Sequence, residues 1–290
     1  QPGKVFIYQR ETGELTHLLD VMPWLDESSL SPSSAATVVS NGLEIEYFLT
    51  IPAEKRKVPL VVYPHGGPWA VGDTREFSPV VQYLTSLGLA VLQVNYRGSS
   101  GYGDEFVEEG FGEFGNQMLD DIETAMNDVL SNPAIDGSRI CTIGESYGGY
   151  AALMLAVRSP ARYVCTASYA GVMDLGLLLG SYDADSADFI LELLSGGEGD
   201  PDSEYENLKN LSPLYHAEQL AIPVLLVHGD ADTRVDIEHS YRMEARLRRL
   251  GKDVDWHALE GQQHRFSNAD EALTYYRLLA DFLREHLVTH

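Results

Sequence analysis

Gly144-Glu145-Ser146-Tyr147-Gly148 reads G-x-S-x-G. Ile140-Cys141-Thr142-Ile143 before it is a short apolar run with β-branched residues, which predicts a buried strand. Tyr150-Ala151-Ala152-Leu153-Met154-Leu155-Ala156-Val157 after it favours helix and stops short of Pro160. Strand, sharp turn and helix form the setting of a nucleophile elbow. A serine hydroxyl is a weak nucleophile, so it must stand clear of the chain and within reach of a base. A tight turn achieves this but crowds its neighbours. Gly144 and Gly148 remove the side chains that would collide there.

In this setting an acid and then a histidine are expected further along the chain. Pro223-Val224-Leu225-Leu226-Val227-His228 reads as a buried strand, followed by Gly229-Asp230-Ala231-Asp232-Thr233-Arg234-Val235. An acid on this loop suits the orienting carboxylate, and the pattern leaves Asp230 and Asp232 both open. Val254-Asp255-Trp256-His257-Ala258-Leu259 is a further short strand, and Glu260-Gly261-Gln262-Gln263-His264-Arg265-Phe266 follows it. Of the 9 histidines, His264 alone sits in a glycine-containing turn on the right loop, where an imidazole can serve as general base. His228 reads as a structural hydrogen-bonding residue and His257 as a strand residue.

An early strand, Leu60-Val61-Val62-Tyr63-Pro64, leads into His65-Gly66-Gly67-Pro68. A glycine-rich loop here lets a backbone N–H approach a substrate oxygen. The N–H of Tyr147, after the nucleophile, is the second expected donor.

Strand patterns at 43–51, 60–64, 89–95, 139–144, 163–170, 223–228 and 254–259 alternate with helix patterns at 76–87, 116–130, 147–158, 236–250 and 268–286. That alternation predicts an α/β fold with a mostly parallel central sheet and helices on both faces. Lys4 to Leu19 reads as two strands around a Thr-Gly turn, Ser28 to Ser34 as a Ser/Pro-rich linker, and Gly196 to Asn207 as a solvated loop. Cys141 and Cys165 fall in core strands and read as small buried hydrophobes rather than a disulfide.

Hydrophobic residues make up 44% of the 290, as in globular proteins. The formal net charge of -24 argues against nucleic acid and against long anionic substrates. No apolar stretch is long enough to span a bilayer, so no membrane partner is expected. No His/Cys cluster has metal-ligand spacing, and no metal or other cofactor is inferred. No signal peptide opens the chain, which favours a cytoplasmic placement. A native start further upstream would allow a periplasmic or secreted one.

His65-Gly66-Gly67-Pro68, Asn95-Tyr96-Arg97-Gly98-Ser99-Ser100-Gly101-Tyr102-Gly103 and Gly144-Glu145-Ser146-Tyr147-Gly148-Gly149-Tyr150 together resemble the catalytic domain of prolyl oligopeptidase family serine peptidases. The acylaminoacyl and dipeptidyl peptidase branch is the most similar, from about Asn41 onward. The resemblance implies the α/β-hydrolase fold and a Ser146, Asp232, His264 triad, since the family's acid stands three residues before the valine. It implies Gly67 and Tyr147 as oxyanion donors and Arg234 as a substrate-binding residue, with a structural ion pair as the other reading of Arg234 and of Arg97. Gly171 to Leu194, which includes Tyr182 and Phe189, reads either as a lining of the acyl pocket, with Tyr182 a substrate-binding candidate, or as a core or cap helix. Full members carry an N-terminal β-propeller. The resemblance therefore implies a catalytic part (35–290) preceded by a hairpin and linker left from a propeller blade (1–34). Peptide hydrolysis is the implied activity. Hydrolysis of short acyl esters on the same machinery is the alternative, and a catalytically silent fold the third reading. Small peptide or acyl-ester substrates are the expected partners, and a homo-oligomer is allowed for.

Overall fold

The computed structural model describes residues 2–53, 57–196 and 201–288. A two-stranded hairpin, β1 (Lys4–Gln9) and β2 (Glu14–Asp20), comes first and, among the described residues, forms a sheet of its own. Its side chains are nearly all exposed. Eight further strands form one sheet: β3 (Ser33–Ser40), β4 (Leu43–Thr50), β5 (Val58–Val62), β6 (Ala90–Asn95), β7 (Ile135–Glu145), β8 (Cys165–Tyr169), β9 (Val224–Gly229) and β10 (Val254–Leu259). Their spatial order is β10-β9-β8-β7-β5-β6-β4-β3. Pairings from β10 across to β6 are parallel, and β4 joins β6 and β3 antiparallel.

The parallel strands are buried on both faces, so their sequences are almost continuously apolar. Alternate residues divide between two cores. Leu60, Val62, Leu92, Ile140 and Leu226 face α3 (Gln117–Val129), α4 (Tyr147–Arg158) and α8 (Glu238–Arg249). Val61, Val91, Ile143, Ala167 and Leu225 face α1 (Pro79–Ser86) and α9 (Ala269–Leu283). Capping sets the helix starts. Ser78 caps α1 with Pro79 in its first turn, and Asn268 accepts the N–H groups of Asp270 and Glu271 at α9. In α8, Glu238 stands in the first turn and Arg246, Arg248 and Arg249 in the last, complementing the helix dipole.

Four sequence expectations need correction. Ser33 and Ser34, read as linker, open β3. This edge strand of small and polar residues is mostly exposed and so lacks the apolar alternation that marks a half-buried strand. The strand expected from Leu60 begins at Val58, with an irregularity at Pro59, which has no N–H for the ladder. The loop expected over 196–207 lies partly outside the described residues, and from Pro201 it is helical, α7 (Pro201–Asn210). Finally, Cys141 and Cys165 are disulfide-bonded. Both are buried as expected. The parallel register of β7 and β8 sets them opposite one another with Cα atoms 4.8 Å apart, inside the span a disulfide bridges.

Further α-helices are α2 (Asp104–Glu108), α5 (Leu175–Leu179) and α6 (Ala184–Ser195). No helix among the described residues is long and apolar enough to cross a membrane.

Candidate active site

Ser146 sits between β7 and α4 with φ 56° and ψ -122°. A non-glycine residue held there costs about 1–3 kcal/mol, which the surrounding packing must offset. The packing is close. A Cβ on Gly144 would lie 2.2 Å from the carbonyl of Gly148, and one on Gly148 would lie 2.2 Å from the Pro64 oxygen. The Ser146 N–H donates to the Tyr169 carbonyl at 2.9 Å, tying the turn to β8. Tyr147 is the first residue of α4, so its N–H has no partner within the helix. Its ring is buried, and its hydroxyl donates to the Phe114 carbonyl at 2.9 Å.

Asp232 and His264 meet across two loops. His264 Nδ1 lies 2.7 Å from Asp232 Oδ2. The loops are stitched together by Asp230 N–H to Leu259 O (3.0 Å), Ala231 N–H to Gln262 O (3.0 Å) and Gly261 N–H to Asp230 Oδ1 (2.6 Å). The choice the pattern left open is thus divided by geometry: Asp230 pins the turn that carries His264, and Asp232 touches His264 itself. Asp232 also accepts from the N–H groups of Arg234 (2.8 Å) and Val235 (3.0 Å). His228 Nε2 stands 3.3 Å from its carboxylate. Burial by itself would push the Asp232 carboxyl up. The His228, His264 and backbone hydrogen bonds outweigh it and hold the group well below the usual carboxylate range. His228 is fully buried, between Ser240 Oγ (2.7 Å) and the Val235 carbonyl (2.9 Å), a structural residue as expected.

The loop after β5 carries Gly67 at φ 128°, a conformation open to glycine. His65 anchors this loop. Its ring stacks on Tyr96, its Nε2 lies 2.9 Å from Ser99 Oγ, and the Tyr96 hydroxyl donates to its carbonyl at 2.8 Å. Burial lowers the His65 pKa to about 4, so the ring is neutral at neutral pH. Further along the loop, Asp73 hydrogen-bonds through its backbone to the Asn95 side chain, while its buried Oδ2 has no partner among the described residues. Burial raises the Asp73 pKa to about 7, with a hydrogen bond from Gln93 opposing. The folded state therefore keeps a proton that the unfolded chain releases near pH 4, and stability falls as pH rises from about 4 to about 7. Asp73→Asn is expected to be the more stable protein at pH 8, by at most about 4 kcal/mol, with the gain shrinking toward pH 4. Thermal melts of both proteins across this range check it. A gain that is independent of pH would show that Asp73 is already ionised at little cost.

Ser146, Tyr147, Gly67, His264, Arg234 and Tyr182 all border one cavity of about 590 Å³. That size suits a small-molecule or short-peptide site. Val172, Leu178, Ile190, Leu193 and Leu194 give it an apolar wall, drawn from the 171–194 segment. The buried His239 holds the root of that wall: its Nδ1 accepts from the Met173 and Asp174 N–H groups, and Asp174 caps α5. Burial lowers the His239 pKa to about 4, which keeps Nδ1 free to accept. Arg97 takes no part in the cavity. Its guanidinium is buried on Asp121 at 2.8 and 2.9 Å, the structural ion pair of the two readings.

Trp69, Phe114, Val71, Tyr169 and Arg265 also border the cavity, although the sequence pattern gave them no such place. Trp69 and Phe114 pack together on its wall, and Arg265 stands on its rim. Arg265 had a local signal, being next to His264. The aromatic pair had none, because Phe114 comes from a loop forty-odd residues away. Glu145, beside the nucleophile, also borders the cavity. No group of His, Cys, Asp and Glu among the described residues could hold a metal ion.

The chain is similar to known proteins in sequence and in fold. The sequence pattern of the prolyl oligopeptidase family matches residues 75–290. Dipeptidyl aminopeptidase BIII of Pseudoxanthomonas mexicana is 30% identical over 99% of this chain and 43% of its own length. Acylamino-acid-releasing enzyme 2 of Oryza sativa subsp. japonica is 32% identical over 68% of this chain and 26% of its own. Among solved structures, Pyrococcus horikoshii acylaminoacyl peptidase superposes with a TM-score of 0.88 at 25% identity, covering 99% of this chain and 46% of that one. The chain thus spans less than half the length of these relatives. Its eight-stranded, mostly parallel sheet is the α/β-hydrolase fold that the resemblance implied, and with a family pattern covering most of its length the chain belongs to the prolyl oligopeptidase family of serine peptidases.

Proposed function

We propose that this chain is the catalytic part of a serine peptidase that cleaves short or N-blocked peptides beside an apolar residue, and that its catalytic unit begins with β3 at Ser33. The observation that carries this reading is the 2.7 Å contact between Asp232 and His264, on loops that bring His264 into one cavity with Ser146. Ser146 Oγ attacks the carbonyl carbon while His264 takes its proton, giving a tetrahedral oxyanion. The N–H groups of Gly67 and Tyr147 receive that oxyanion, and losing one such donor costs about 3 kcal/mol of transition-state stabilisation. Asp232 fixes the His264 tautomer and stabilises the imidazolium. His264 then protonates the leaving amine, and an acyl-enzyme remains on Ser146. Water, deprotonated by the same imidazole, attacks the ester carbonyl and releases the acid, restoring Ser146. Arg234 and Tyr182, on the rim, contact the substrate beyond the scissile bond. The apolar wall takes the acyl-side residue.

The same machinery hydrolyses esters, whose alkoxides leave more readily than amines. Positioning by remote contacts matters most for the harder reaction. Over this sequence alone, p-nitrophenyl acyl esters are expected to show higher kcat/KM than matched acyl-amino-acid or dipeptide anilides. Leu or Phe should be preferred to Asp or Glu at the acyl residue by about tenfold or more, because the wall offers a carboxylate no partner. A kinetic panel of both series tests this. Absence of turnover on every member would defeat the peptidase reading. Anilides matching the esters would show that positioning is complete within these residues.

A further inference from the structure

The last carbonyls of a helix have no partner within it. At the end of α6, Gly196 turns the chain left-handed with φ 84°, and its N–H donates to the Glu192 carbonyl at 2.9 Å. The next carbonyl, that of Leu193, accepts from the N–H of Gly112 at 3.0 Å, on a loop far earlier in the chain. A Cβ on Gly112 would lie 3.0 Å from both the Cα and the N of Gly196. Non-bonded heavy atoms prefer about 3.5–4.0 Å. The two backbones touch here because residue 112 has no side chain.

Both sides of this contact line the cavity. Leu193, with Ile190 and Leu194, forms its α6 wall, and Phe114 lines it from the loop that carries Gly112. The loop is the fixed partner. A Cβ on Gly110 would lie 2.6 Å from Gly98 Cα, and Trp69 Nε1–H donates to the Gly110 carbonyl at 3.0 Å. The Phe114 ring packs on Tyr147 and on Tyr150, each with centroids 4.6 Å apart. The Tyr147 hydroxyl donates to the Phe114 carbonyl, which ties the loop to the helix that follows the nucleophile. α6 is held less firmly. It packs on the short α5 and on α7, and its Phe189 is 59% exposed. When the contact is widened, α6 is the side that moves.

We propose that Gly112 determines acyl specificity: it lets the end of α6 lie directly on the 109–115 loop, which closes the cavity between Leu193 and Phe114 and limits the length of the acyl group that enters. The proposal rests on the reading above in which the apolar wall takes the acyl side of the substrate. Gly112 touches no reacting atom and acts through the place it gives Leu193. A Cβ at this position displaces the end of α6 by about half an ångström or more and opens the cavity to longer chains.

The test is kcat/KM on p-nitrophenyl esters from acetate to decanoate for the wild type, Gly112→Ala and Gly196→Ala, with active sites counted by an organophosphonate. In Gly112→Ala the decanoate-to-butyrate ratio is expected to rise about tenfold, the effect of one more methylene accommodated in an apolar pocket, chiefly through a lower KM for the long ester. Gly196→Ala places a side chain at the same kind of left-handed backbone, but among the described residues its Cβ meets nothing within 4 Å. It should melt at a lower temperature, as Gly112→Ala does, and keep the wild-type ratio. Gly112→Asn brings the same Cβ on a residue that tolerates this backbone, and it carries the test if the alanine variant does not fold. A wild-type ratio in the Gly112 variants would overturn the proposal. So would an equal shift in Gly196→Ala, because strain at the helix end would then be the cause. A wild type that discriminates among acyl lengths, with Gly112 variants that follow it, leaves the apolar wall in place and removes the role of Gly112. A wild type indifferent to acyl length removes both.

Discussion

Ser146→Ala is expected to abolish hydrolysis and labelling by an organophosphonate, with a fall in kcat on the order of 10⁵–10⁶. The variant loses one oxygen at the mouth of the cavity and keeps every packing contact of the elbow. The Ser146 N–H bond to Tyr169 and the close approach of Gly144 to Gly148 do not involve the hydroxyl. The melting temperature should therefore stay near that of the wild type. What disappears is the covalent route, and the remaining rate is the little that the oxyanion donors and binding give to a water attack. Active-site titration with the phosphonate and steady-state kinetics on one preparation check both halves. A variant that keeps a tenth or more of the activity would remove Ser146 from the mechanism.

Asp232→Asn should lower kcat by about 10⁴ with the fold retained. The amide still fills the space under His264, but it no longer demands the proton at Nδ1 and offers no charge to the imidazolium. Asp230→Asn should cost far less. Asp230 accepts one backbone N–H, from Gly261, and an amide oxygen can accept it as well. Comparing the two variants on a single ester substrate decides the assignment. If Asp230→Asn were the more damaging, the carboxylate orienting His264 in solution would not be the one that touches it in the structure.

The fold was largely legible because its core follows local rules. β10 occupies 254–259 and α4 occupies 147–158, as the sequence pattern predicted, since an apolar run between turn residues and a capped helix both announce themselves within a dozen positions. Elements that earn little burial gave little signal. β3 is a polar edge strand whose place comes from pairing with β4, and α7 begins in a stretch whose Gly, Asp and Glu content reads as loop.

The site divides in the same way. The chain order of elbow, acid loop and base loop is a sequence property, so Ser146 and His264 stand out in it as candidates, and a resemblance was needed to prefer Asp232 over Asp230. Which residues share the cavity was not a sequence property. Trp69, Phe114 and Glu145 reach it from three separate stretches, brought together by the strand order β8-β7-β5-β6 and the loops at its C-terminal edge. The Cys141–Cys165 disulfide shows the same limit. Two cysteines in buried strands read as hydrophobes until the parallel register of β7 and β8 sets them face to face. By itself the sequence determined the elements, their order and the chemistry each loop carries, because hydrophobic period, caps and turn residues act over a few positions. Tertiary structure alone decided the pairings: Asp232 with His264, His228 behind Asp232 and Arg97 on Asp121. Contacts between residues tens of positions apart depend on which strands lie side by side and in what register. No local pattern encodes that.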